Sequence, residues 1–76
     1  MIDKVFEYVQ HEYNNAIRLL EMDTDWMTPF SIINQTRSRA FGAVSYFCFV
    51  NPQFEDDVRE IWEVWRAKFD ELYHRN

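Results

Sequence analysis

Two prolines, each preceded by a helix-capping residue, restrict the folds open to this chain more than any other feature. Thr28-Pro29 and Asn51-Pro52 are the chain's two X-Pro steps, and there is a single glycine in 76 residues. Proline at the first position of a helix loses no intrahelical hydrogen bond, and a preceding Thr or Asn offers a side-chain oxygen to an orphaned N–H. The residue before proline is itself pushed out of helical geometry. Each step therefore predicts a helix start. Three segments result: Ile2 to about Met22, Pro29 to about Val50, and Pro52 to about Arg75. So little turn chemistry excludes a many-stranded β-sandwich.

Within the segments the apolar residues recur at helical spacing. Ile2, Val5, Phe6, Val9, Tyr13, Ala16, Ile17 and Leu20 follow i, i+3, i+4, i+7 through the first. At about 100° per residue they occupy a sector of roughly 120°, the width of a core-facing stripe. Phe54, Val58, Ile61, Trp62, Trp65, Phe69 and Leu72 form the equivalent stripe in the third, with Trp62 at its edge. Glu55, Asp56 and Asp57 fall in that helix's first turn, where the dipole favours negative charge. The second segment carries Phe30, Ile33, Arg37, Ala40, Phe41, Val44, Phe47 and Cys48 on one side. The core is expected to include Ile17, Leu20, Phe41, Val44, Phe47, Ile61 and Trp65.

Charge sets the middle segment apart. Residues 26–50 carry two arginines and no acid, against six acidic and two basic residues before them and seven acidic and four basic after. A slightly basic, mostly apolar helix between two acidic amphipathic ones belongs at the centre, and short connections make neighbours antiparallel. The prediction is an all-α, antiparallel, up-down-up three-helix bundle, one domain over residues 1–76. A chain this short has a marginal core, and its seven Phe, four Tyr and three Trp offset that by burying about 150–250 Å² each.

Several function classes fall away on composition. A net charge of −5 repels phosphate backbones, so direct nucleic-acid binding is not expected. The longest near-apolar run, 40–50, is about half the roughly 20 residues of a bilayer span. Asp3 and Glu7 interrupt the stretch where a signal peptide needs its apolar core, which predicts a cytoplasmic protein without membrane attachment. One cysteine makes no intrachain disulfide and, with two histidines, supplies no zinc pattern.

The remaining candidates for chemistry are weak. Glu7 and His11, four apart on the first helix, are half a metal site at most, and both project about 120–160° away from the apolar stripe. Cys48 lies near a helix C-terminus among Phe47, Phe49 and Val50, where dipole and burial both disfavour thiolate. Ser31, Ser38 and Ser45 have no His and acid at an activating spacing, and one glycine makes no phosphate-cradling loop. Arg37 and Arg39 lack a surrounding basic patch and are expected to pair with the flanking helices, Arg39 with Glu12 across the first turn and Glu63 across the second. The aromatic stripe Phe54, Trp62, Trp65, Phe69 and Tyr73 reads as core rather than as a flat-ligand pocket. No catalytic, cofactor-binding or metal-ligating residue is assigned, and the chain is not expected to be an enzyme.

Apolar residues left over from the core point instead to contact with protein. Tyr8 and Leu19 lie off the first stripe, Val64 at an edge of the third helix, and Tyr46 and Phe49 on the back of the second. Ser38, Gly42 and Ser45 recur at i, i+4, i+7 on the back of the second helix, with Tyr46 and Phe49 beside them. Glycine inside a helix costs about 1 kcal/mol relative to alanine, so close approach of another backbone is the natural reason for it. Ser38, Gly42, Ser45, Tyr46 and Phe49 are therefore the candidate interface, for a protein partner or for a homodimer. The alternative within the monomer is that the first or third helix crosses this strip. A competing reading makes the acidic face of Asp56, Glu60, Glu63 and Asp70 a decoy that mimics nucleic-acid charge and blocks a basic cleft.

Overall fold

A computed structural model describes residues 2–22 and 27–74 of the chain. They form three helices: α1 (Ile2–Glu21), α2 (Pro29–Val50) and α3 (Glu55–His74), with a 3₁₀ turn, Pro52–Phe54, between the last two. Among the described residues there is no strand. The helices lie side by side as an antiparallel up-down-up bundle about 43 Å long and 15–18 Å across, with α2 packed along both neighbours. Part of the first break, Asp23 to Trp26 with the expected turn at Asp25, lies outside the described residues.

The two prolines act differently. Thr28 is extended (φ −84°, ψ 154°) and its Oγ1 accepts from the Ser31 N–H at 3.1 Å, which fixes the start of α2 at Pro29. Asn51 was expected to cap the third helix in the same way, and it does not. Its backbone N–H (2.8 Å) and its Nδ2 (3.2 Å) both donate to Phe47 O, so its side chain closes the end of α2. With no side-chain acceptor at the start of the next element, Pro52 opens a 3₁₀ turn closed by Phe54 N–H to Asn51 O at 3.0 Å, and α3 begins only at Glu55. Glu55, Asp56 and Asp57 then occupy its positive end.

The core is built from Val5, Val9 and Ala16 of α1, Ile32, Ile33, Ala40 and Val44 of α2, and Val58, Trp62, Phe69 and Leu72 of α3. Tyr13 sets its ring edge-on against both Trp65 (5.6 Å) and Phe69 (5.3 Å), joining α1 to α3. Of the expected core, Val44 is buried, while Ile17, Leu20, Phe47 and Trp65 are half-buried. Phe41 and Ile61 are corrections: they are 52% and 37% exposed. Both errors are rotations. Helix α2 must serve two neighbours, and its buried arc centres nearer α1, bringing in Ile32 and Thr36 and turning Phe30 and Phe41 outward. Thr36 enters the interior because its hydroxyl is engaged locally, within 2.9 Å of Ile32 O and 3.1 Å of Ile33 O. In α3 the edge residue Trp62 turns in, its ring 5.5 Å from that of Phe41, and Ile61 moves to the rim.

Candidate functional site

Residues 37 and 39 stand about 200° apart on a helix, so the two arginines of α2 face different neighbours. Arg39 Nε donates to Glu12 Oε2 at 3.1 Å, as expected, and Glu12 is 6% exposed on the α1 side. Tyr8 joins this pair: partial burial first, then the charge and hydrogen bond of Glu12, push its phenol above the usual range, with Arg39 opposing. The expected contact of Arg39 with Glu63 is not made, because Arg39 points to α1 and Glu63 is held by Arg66 of its own helix at 2.6 Å. Arg37 turns to α3 instead, donating to Asp70 at 2.8 Å with its guanidinium 5.7 Å from the centre of the Tyr73 ring. Both charges of α2 are thus matched inside the chain.

What remains of α2 faces outward without charge. Ser38, Gly42, Ser45, Tyr46 and Phe49 are all exposed, Tyr46 at 71% and Phe49 at 84%. A Cβ built on Gly42 meets nothing within 4 Å. Neither α1 nor α3 crosses the strip, so the monomer core is not the reason for the glycine. Phe41 and Val50, 52% and 54% exposed, widen the apolar surface on either side. Next to it, between α2 and α3, runs an open groove. One stretch of about 310 Å³ is lined by Phe41, Val44, Ser45, Cys48, Arg59 and Trp62 among others, and a second continues past Ser38 to Arg66. The aromatic stripe of α3 is therefore core on one side, through Phe69, and floor of this groove on the other, through Trp62.

The other candidates separate. Cys48 is half-buried, and burial first, then the Glu55 charge, raises its thiol above the ordinary cysteine value, with Arg59 opposing. Glu7 and His11 are both exposed, and Glu7 lies 3.6 Å from Lys4. No group of three His, Cys, Asp or Glu side chains suited to a metal ion occurs among the described residues. On the acidic face of α3, Arg66 takes Glu63 and approaches Asp70 at 3.5 Å, while Arg37 takes Asp70 as well. Two of the four carboxylates expected to act together are therefore already paired.

Sequence reasoning missed the burial of Glu12 and the groove beside Phe41. Glu12 had a signal, being about 60° from Val9 on α1 and opposite Arg39. The groove had none, since it depends on how far apart α2 and α3 pack. None of the described helices is long and apolar enough to cross a membrane. In comparisons with known proteins, no family model matches the chain, and no curated protein or solved structure is significantly similar to it.

Proposed function

We propose that this chain is a non-catalytic, cytoplasmic interaction module that binds a protein surface, its own or another's, through the outward face of α2. The observation that carries this reading is the pairing of two facts on one helix. Tyr46 and Phe49 are 71% and 84% exposed, and both nearby arginines are neutralised within the chain. Contiguous apolar surface of this kind on a small domain marks a contact site, and exposed aromatics are frequent anchors of binding energy. The decoy reading is the weaker one, because guanidiniums already engage Glu63 and Asp70 on the face it needs.

The test is the double substitution Tyr46→Glu with Phe49→Glu, compared with wild type by co-purification from the native cell and by sedimentation equilibrium. A face-dependent partner, whether a second copy or a different protein, is retained by wild type and lost by the variant, whose helical circular dichroism stays unchanged. Identical retained proteins and identical sedimentation for the two chains refute the reading. So does unfolding of the variant, which would return the strip to the core.

A further inference from the structure

The groove between α2 and α3 has two matched walls. On α2, Ser38, Phe41 and Ser45 stand at i, i+3 and i+7, and on α3 Arg59, Trp62 and Arg66 do the same. Each wall thus carries a ring at its middle and a polar group at either end. Because the helices run antiparallel, Ser45 shares one stretch of the groove with Arg59, and Ser38 shares the other with Arg66. Phe41 and Trp62, their rings 5.5 Å apart and tilted by 44°, border both stretches, each of about 310 Å³. Recesses of this order between bundle helices, mostly apolar with a few placed polar groups, suit small molecules.

The lining also selects the chemistry of its occupant. Its arginines are matched within the chain: Arg59 by Glu55 at 2.8 Å, Arg66 by Glu63 at 2.6 Å and Arg37 by Asp70 at 2.8 Å. A charged ligand would have to break one of these pairs to be matched itself, so the walls favour an uncharged one. Ser38 and Ser45 make no side-chain hydrogen bond with the described residues, which leaves two hydroxyls about 10.5 Å apart along α2 for a ligand's polar edges. Between them, water against Phe41, Val44 and Trp62 meets few polar partners, and an apolar occupant displaces it favourably. Flat rings suit these surfaces best. They pack on Phe41 and Trp62, and they stack on a guanidinium without taking it from its carboxylate.

We propose that the α2–α3 groove binds an elongated, uncharged aromatic molecule with two linked ring systems, one in each stretch on either side of the Phe41–Trp62 pair. The site is separate from the contact face on the outside of α2, since neither Tyr46 nor Phe49 lines it.

Phenylnaphthylamine, an uncharged probe of two linked ring systems, tests the site through the chain's single cysteine. Cys48 lines the first stretch, so its alkylation by iodoacetamide reports occupancy there. One probe binds per chain in a fluorescence titration, and alkylation slows with its half-effect at the same probe concentration. Ser38→Cys reports the second stretch in the same way, the two cysteines being read separately by mass spectrometry. Anilinonaphthalene sulfonate, which adds one negative charge to the same rings, binds at least about tenfold more weakly. Glu55→Gln, which unpairs Arg59, narrows that gap by raising the sulfonate's affinity while the neutral probe's stays unchanged. Tyr46→Glu with Phe49→Glu leaves the neutral probe's binding as in wild type, whatever becomes of the contact face. No saturable binding, or binding that leaves Cys48 alkylation at its free rate, overturns the site. Protection of Cys48 without Ser38→Cys overturns the two-ring span. A sulfonate that binds wild type as tightly as the neutral probe, or a gap that Glu55→Gln leaves unchanged, overturns the uncharged class. Probe lost with Tyr46→Glu and Phe49→Glu moves the binding to the outer face and overturns the groove.

Discussion

The two seams of α2 are closed in different ways. The seam with α1 includes small residues, Ala16 and Ala40, both fully buried, and its buried charged group, Glu12, is held by Arg39. Against α3 and the turn before it, large rings meet, with Trp62 of α3 on Phe41 and Phe54 of the 3₁₀ turn near Phe47 at 6.2 Å, and the space beside them stays open as a groove. Small side chains let helix backbones approach and seal the contact. Wide aromatic ones hold the backbones apart, and the gaps between rings face solvent. A seam built from the bulkier residues is thus the looser one, and it borders the exposed face of α2.

The sharpest way to break this comparison uses neighbouring residues. Ala40→Leu forces three extra carbons into the sealed seam and is expected to destabilise by about 1–3 kcal/mol. Phe41→Ala removes a whole ring from the open seam, yet half of that ring is already in water, so the expected loss is about 1 kcal/mol. Thermal melts resolve the difference, since about 1 kcal/mol moves the midpoint of a domain this size by roughly 4–8 °C. A larger drop for Phe41→Ala than for Ala40→Leu would show that the α2–α3 seam carries the stability.

The ion pairs make the same contrast at a smaller scale. Arg37–Asp70 is the shorter at 2.8 Å, but both side chains are about a third exposed, whereas Glu12 in the 3.1 Å pair is 7% exposed. Solvent screening leaves an exposed pair about 0–1 kcal/mol, and a buried carboxylate that loses its charge-assisted bond costs more, about 1–2 kcal/mol. Glu12→Gln should therefore lower stability more than Asp70→Asn in denaturant titrations. Equal effects would mean that the depth of Glu12 contributes nothing.

Cys48, on the groove side, gives the smallest effect. Burial and Glu55 favour its neutral thiol, so the folded-state value is raised above the unfolded one. That contribution to stability is complete below the unfolded thiol's value, about 8.5, and is lost as pH rises through the folded one. Alkylation by iodoacetamide should accordingly run slower in the folded chain than in urea, with its pH profile displaced to the alkaline side. A profile matching that in urea would place the thiol in open solvent.

Amphipathic spacing and the two X-Pro steps were enough to read three helices, their order and their antiparallel course. Those features are local: a helix stripe and an N-cap are satisfied within a few residues, whatever packs against them. Arg39 with Glu12 was legible for a related reason, since an antiparallel hairpin fixes which positions stand level. The pattern alone left the rotation of each helix open, because a central helix has two neighbours and its apolar arc does not say how they share it. Packing turned Trp62 inward and Ile61 and Phe41 outward, whereas Asn51 became the end of α2 rather than the start of α3 through two local bonds to Phe47 O. Packing also left the strip from Ser38 to Phe49 uncovered, where the sequence allowed equally for a helix of the same chain. Which face of a helix stays bare depends on where the other two helices lie, and only their packing in three dimensions fixes that.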